Sequence, residues 1–338
     1  MPASDQNKLT VAPHEVSVVV PVYKGEATLG DLLLEILPLT AVVRSPGGAN
    51  WRIAEVLLVF DNGPDGSAET IRALQNEYSF VRSVWLSRNF GQHSATLAGM
   101  ASSGAEWIAT LDEDGQYDPA DIAVLLDAAL AEGAPLVYAR PTNEPPHGFV
   151  RNAASRSAKA IVSRLSGNPA MTDYQSFRLV LGEVGRSIAA YSGAQVYLDV
   201  ALGWVASKYT TAAVELRQDT RRTSGYSLPT LFSHFWKLIL SSGTRGLRLV
   251  SALGAVFALA GLLLAMIFAI QRLTSGDLPA GWTSQITVIL IASGAILFSL
   301  GVIAEYIGVV VNMALGKPPY LIMNDPENGP LGRRTFPL

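Results

Sequence analysis

A mainly parallel α/β sheet followed by a membrane anchor is the architecture that the sequence predicts, and three observations predict it. Short apolar runs alternate with helical patterns from Val16 to Ala139. The residues that end those runs are turn formers, carboxylates and an arginine. Two long runs in the C-terminal third, 249–270 and 286–311, are almost free of charge. Strands that alternate with helices imply a parallel sheet covered on both faces. Each C-terminal run is long enough, at about 1.5 Å per helical residue, to cross a hydrocarbon core of about 30 Å.

In chain order, 16–22 (VSVVVPV) reads as a buried strand and 27–37 as a helix. A second strand, 54–60, ends in the turn-forming stretch Asp61-Asn62-Gly63-Pro64-Asp65-Gly66-Ser67, before a helix at 68–78. A third strand, 81–86, leads into Ser87-Arg88-Asn89-Phe90-Gly91 and a helix at 94–102. The strand 107–111 is followed by Asp112-Glu113-Asp114-Gly115-Gln116 and by a helical stretch at 119–132, and a further strand is expected at 136–139. Helices are expected at 150–165 and 182–190. The stretch 228–250 mixes Leu231, Phe232, Phe235 and Leu238 with His234, Lys237, Arg245 and Arg248, as an amphipathic helix in a membrane interface does. The expected domains are therefore a catalytic domain at 1–227, a juxtamembrane segment at 228–248, a two-helix hairpin at 249–311 and a tail at 312–338.

Ligands of such sheets sit at the carboxyl ends of the strands. Asp61, Arg88 and Asp112 all fall there, which brings three strand ends to one crevice. Asp112 and Asp114 are separated by one residue, and strand alternation turns both to the same side and Glu113 away. Two such carboxylates suit a hard divalent cation, Mg²⁺ or Mn²⁺, which completes its shell with water and substrate phosphates. A solvated turn is the plain alternative for an isolated D-x-D. Asp118 before Pro119 has the residue order of a helix cap.

The N-terminus is polar and carries no secretory signal, so the first domain is expected to stay on the side of synthesis. Lys237, Arg245 and Arg248 precede the first apolar run and Lys317, Arg333 and Arg334 follow the second. The loop between the runs holds only Arg272 and Asp277, an asymmetry that places both flanks in the cytoplasm. The lack of cysteine fits a reducing compartment. A formal net charge of −3 gives no support for nucleic-acid binding.

Several segments in order resemble one family: 18–23 (VVVPVY), the turn 61–67, 86–93 (LSRNFGQH), 111–116 (LDEDGQ), 173–178 (DYQSFR) and 301–308 (GVIAEYIG). Together they make the chain similar to family 2 glycosyltransferases of GT-A fold, in the branch that uses polyprenyl phosphates and includes dolichol-phosphate mannose synthase. The resemblance implies a nucleotide diphosphate sugar as donor, a polyprenyl phosphate lipid of undecaprenyl type as acceptor, and inversion at the transferred carbon. It also implies a divalent cation, an inner-membrane location with two spans, and a homo-oligomer, a tetramer being one form. By resemblance, Pro21, Tyr23, Glu26, Asp61, Arg88, Asn89, Gly91 and Asp112 serve the nucleotide sugar. Asp112, Asp114 and Gln116 serve the metal diphosphate, and Arg140, Arg151, Arg178, Arg221 and Arg222 the acceptor phosphate. Asp112, Asp114 and Arg178 form the expected catalytic set, and His93 reads as structural.

Lys24-Gly25-Glu26, Phe60, Gln175-Ser176 and Ala304 depart from the family pattern and leave the donor sugar open. A processive polysaccharide synthase would carry a Q-x-x-R-W motif, which the sequence lacks. A membrane-anchored, non-catalytic binding protein would have no use for the intact D-x-D. Glu305, inside the second run, is the one carboxylate there, and intramembrane carboxylates usually face a partner.

Overall fold

A computed structural model describes residues 12–143, 173–193, 197–206, 208–217 and 281–329, with only scattered residues between 250 and 274. The expected helix at 150–165, the amphipathic segment at 228–248, and Arg151, Arg221 and Arg222 lie outside the described residues. The chain divides into two compact units, one made of 1–160, 169–225 and 318–338 and the other of 161–168 and 226–317.

The first unit is built on β1 (His14–Val22), whose Val16, Val18, Val19, Val20 and Val22 are all fully buried. An apolar run without alternation is what a strand covered on both faces requires. Around it stand α1 (Leu29–Ile36), β2 (Val43–Arg44), β3 (Asn50–Phe60), α2 (Ser67–Glu77), β4 (Val81–Leu86), α3 (Gln92–Ser102) and β5 (Trp107–Thr110). A 3₁₀ turn at Pro119–Asp121, capped by the Asp118 carboxylate, leads into α4 (Ile122–Glu132), β6 (Leu136–Pro141), β7 (Arg178–Leu181), α5 (Gly182–Tyr191), α6 (Leu198–Val205) and β8 (Thr210–Val214). The sheet runs β8-β6-β7-β5-β1-β3-β4-β9, with β9 at Ile322–Met323.

The half β4-β3-β1-β5 is parallel throughout and reverses its order between β1 and β5, which is the switch point where α/β sheets bind ligands. Beyond β5 the sheet is mixed, because β7 pairs antiparallel with both β5 and β6. The sheet is thus mixed, with β1, β3, β4, β5, β6 and β8 running one way and β2, β7 and β9 the other. The antiparallel β7 has a functional effect: the chain enters it from the same edge at which β5 and β6 end. Asp112, Ser176 and Arg140 therefore share one rim.

Helix α3 lies close on the sheet at Gly99, where an added Cβ would sit 2.3 Å from Val19 Cγ1 and 2.9 Å from Val59 Cγ2. That closeness positions Gln92, at the other end of α3, over the β5 terminus.

In the second unit, α7 (Trp282–Ala314) is a 33-residue helix that contains the expected second span. Its part Ile291–Ala314 is long and apolar enough to cross a membrane by length and composition, and is almost entirely exposed. The expected span at 249–270 is only partly described. Residues 254–257 there are helical, and Val256, Phe257, Leu259, Leu263 and Met266 are exposed.

Candidate active site

The carboxyl rim of the sheet brings together the ends of β1, β3, β4 and β5. Leu111 N–H donates to the Val19 carbonyl and Asp61 N–H to the Val22 carbonyl, so the strands stay paired up to the candidate residues. Tyr23, just past β1, is 42% exposed and open to a ligand. The turn after β3 approaches it so closely that a Cβ on Gly63 would stand 1.7 Å from the Tyr23 carbonyl oxygen, so only glycine fits.

Asp61 is buried, and its two oxygens accept the N–H groups of Phe90 and Gly91 at 2.7 and 2.8 Å. Burial raises its pKa, and the two amides and Arg88 oppose that shift. Asp61 thus shapes the loop 87–91, and Gly91, at φ 91°, occupies a conformation that favours glycine. Asn62, itself left-handed at φ 52°, donates from Nδ2 to the Leu86 carbonyl. The guanidinium of Arg88 lies 4.0 Å over the Phe90 ring, and both Arg88 and Asn89 are exposed.

Glu26, which the resemblance assigns to the nucleotide, accepts the Gly66 N–H at 2.9 Å, while its own N–H donates to Asp65. In this structure it stitches two loops together. Glu113 accepts the N–H groups of Tyr23 and Lys24 at 2.9 and 3.0 Å. It thereby carries a role that spacing alone did not show: it holds the loop after β1.

Asp112 is the centre of the site. Its Oδ1 accepts from Gln92 Nε2 at 2.6 Å and its Oδ2 from Ser176 Oγ at 2.5 Å. Burial and, to a smaller degree, the Asp114 charge push its pKa up to about 6, against the pull of Ser176, Arg178 and Gln92. Asp114 turns back to accept the Gln116 N–H at 3.2 Å, a turn that Gly115 allows at φ 69°.

No group of three or more His, Cys, Asp or Glu able to hold a metal occurs among the described residues. The two carboxylates nevertheless suit a hard cation carried in with a diphosphate, since they supply oxygen ligands and their mutual repulsion is what a cation relieves.

Arg178 differs most from expectation. It is 3% exposed and forms an ion pair with the equally buried Asp199, which also accepts from Tyr138 OH at 3.1 Å. Its Nε donates to the Ser176 carbonyl at 3.4 Å. The guanidinium is therefore committed to Asp199 on α6 and to the segment that carries Ser176, rather than presented to an incoming phosphate. Sequence reasoning missed Asp199, because it opens a short helix that carries no motif. Arg140 is exposed at the end of β6. Arg217, also missed, binds Glu35 and Asp118 at 2.8 and 2.7 Å while its N–H donates to the Gln116 carbonyl, so it braces the far side of the D-x-D turn. The His93 ring packs 4.0 Å from that of Tyr197.

A search against family models matches residues 17–186 to "Glycosyl transferase family 2". An undecaprenyl-phosphate 4-deoxy-4-formamido-L-arabinose transferase of Edwardsiella ictaluri is 31% identical over 313 residues, covering 91% of this chain and 93% of the relative. The enzyme of the same name from Yersinia enterocolitica is 30% identical, covering 91% and 92%. Among solved structures, glucosyl-3-phosphoglycerate synthase from Mycobacterium tuberculosis, in complex with Mg²⁺ and uridine diphosphate, aligns at TM-score 0.47 and 18% identity over 69% of this chain and 79% of its own. With half the chain matched by the family model and nearly all of it by full-length relatives, this protein is a glycosyltransferase that belongs to glycosyl transferase family 2.

Proposed function

We propose that the protein transfers a sugar from a nucleotide diphosphate sugar to a polyprenyl phosphate at the cytoplasmic face of the membrane. The observation that carries this reading is the full-length similarity to undecaprenyl-phosphate sugar transferases, which continues past the catalytic domain into the apolar C-terminal third. The rim of strand ends supplies the chemistry. Tyr23, Arg88 and Asn89 border the nucleotide, while Asp61 holds the 87–91 loop in place around it. Asp112 and Asp114, with Gln116, would hold a divalent cation that neutralises the charge developing on the departing nucleotide diphosphate.

The nucleophile is a phosphate oxygen of the lipid. It attacks the anomeric carbon as the bond from that carbon to the diphosphate oxygen breaks, and one in-line displacement inverts the centre. A phosphomonoester is largely ionised at neutral pH, with a second pKa of about 6, so no strong general base is required. Arg140, exposed on the same rim, and Arg151, Arg221 and Arg222 are the guanidinium groups available to the acceptor phosphate.

Two crossings of the membrane are supported by topology. Residues 318–329 belong to the same unit and sheet as 12–143, so the chain between them must cross the membrane an even number of times. With α7 as one crossing, the run at 249–270 supplies the other. Glu305 lies exposed along α7, which favours a second copy of the chain as its partner and a homo-oligomeric assembly.

The test is a mass-spectrometric screen of nucleotide sugars with polyprenyl phosphate, run on wild type and Asp114→Ala. The wild type is expected to form a lipid-linked sugar. The folded variant is expected to lose transfer by about 100-fold or more, and chelation of the wild type should do the same until Mg²⁺ or Mn²⁺ is returned. Near-normal turnover in Asp114→Ala would reject the metal assignment.

A further inference from the structure

We infer that the segment following the membrane helix, 318–329, is a positioning part of the donor site, because it holds the end of the strand from which the nucleotide loop departs. This rests on the reading of 87–91 as that loop. β9 enters the sheet antiparallel to β4, with Ile322 opposite Leu86 and Met323 opposite Trp85. The pairing then continues one step beyond the strands, as Ser87 N–H donates to the Leu321 carbonyl at 3.0 Å. Arg88 and Asn89 follow directly. The loop is thus gripped from three directions: the tail holds Ser87, Asn62 holds the Leu86 carbonyl, and Asp61 holds the amides of Phe90 and Gly91.

A two-residue strand does not keep its place through its own ladder, since even an isolated hairpin is only marginally stable in water. What retains it is a side-chain clamp just beyond it. Asp325 receives a two-pronged contact from Arg72, Nε to Oδ2 at 2.9 Å and Nη2 to Oδ1 at 2.8 Å, and Glu327 stands 2.9 Å from Arg72 Nη1. Arg72 and Asp325 are both mostly buried, with side chains 18% and 11% exposed. The Arg72 guanidinium also lies 4.9 Å from the Trp85 ring on β4, so the clamp bears on the same strand as the pairing. At the other end of the segment, Tyr320 OH donates to the Ala189 carbonyl at 3.2 Å. Bidentate contacts of this kind fix geometry as well as contribute energy. The segment acts on the reaction through Ser87.

The experiment uses the full-length, detergent-solubilised enzyme with Asp325→Ala, Arg72→Asp, Asp325→Arg, the double exchange Arg72→Asp with Asp325→Arg, and Arg88→Ala as reference. Loss of a partly buried charged pair of this type is expected to raise the donor KM, and the Kd of the nucleotide diphosphate alone, by about ten-fold. The acceptor KM and the kcat at saturating donor are expected to stay within about two-fold. The double exchange should recover most of the lost donor affinity. If Asp325→Ala leaves nucleotide affinity unchanged while Arg88→Ala weakens it, or if donor and acceptor parameters fall together, the inference is overturned. If Arg88→Ala itself leaves nucleotide binding intact, the reading of 87–91 as the donor loop fails instead.

Discussion

Burial, helped by the adjacent Asp114 carboxylate, pushes the pKa of Asp112 up to about 6 from the ordinary 3.8, against the pull of the Ser176 and Gln92 donors and of Arg178. A carboxyl whose pKa rises on folding contributes most to stability below its unfolded value, and that contribution is lost as pH rises through about 6. In chelated protein, melting temperature should therefore decline between about pH 4 and pH 6 from this group, and Asp112→Asn should remove that component. A divalent cation should flatten the decline, since its charge favours the ionised Asp112 and offsets the repulsion from Asp114. Ser176→Ala removes a hydrogen bond to the charged form worth about 1.5–3 kcal/mol and should move the midpoint up by about one unit or more. A midpoint unmoved in Ser176→Ala would refute the assigned contact. The Arg178–Asp199 pair makes a different demand. Asp199→Ala leaves a buried guanidinium uncompensated and should cost about 3–5 kcal/mol in denaturant unfolding, whereas Arg178→Met with Asp199→Leu should regain much of that stability. Stability unchanged in Asp199→Ala would show the pair to be dispensable.

At the scale of elements, the close seat of α3 on the sheet connects packing to the site. Gly99→Ala places a methyl against Val19 and Val59, both rigid at χ1, and should cost about 1–3 kcal/mol. Transfer should fall further than the loss of folded protein explains, because Gln92 moves with the helix; specific activity per folded molecule measures this. The parallel half of the sheet was legible in the sequence because its strands are unbroken apolar runs closed by turn formers, and β1, β3, β4 and β5 fall within a few residues of expectation. β7 and β8 were not. Arg178–Leu181 opens on a charge that reads as a ligand for phosphate, and Thr210–Val214 has no apolar run of its own. β9 is two residues long, and its pairing is decided by contacts with β4 and Arg72 that lie more than 200 residues away. The site followed the same rule. The convergence of the strand ends that carry Asp61, Arg88, Asp112 and Asp114 was legible, but the partners of these residues were not. Gln92, Ser176 and Asp199 are assigned by tertiary distance, and Glu26 proved to bind a backbone amide.

For the whole molecule, the sheet is assembled from both ends of the sequence. Residues 12–143 supply its parallel half, and residues 318–329 close its β4 edge, with the membrane-directed runs lying between them in the chain. A β4 edge left open would present unpaired N–H and C=O groups next to the 87–91 loop. Among the described strands, the closing one is the last to be synthesised. Domains fold from the N-terminus during synthesis, so the core around β1 can form early, while Leu321 and Asp325 are made only after both apolar runs. If both runs cross the membrane and 87–91 serves the nucleotide, as proposed, nascent chains stalled before residue 318 should possess a folded core yet bind nucleotide poorly, which would tie competence for sugar transfer to the completion of membrane insertion.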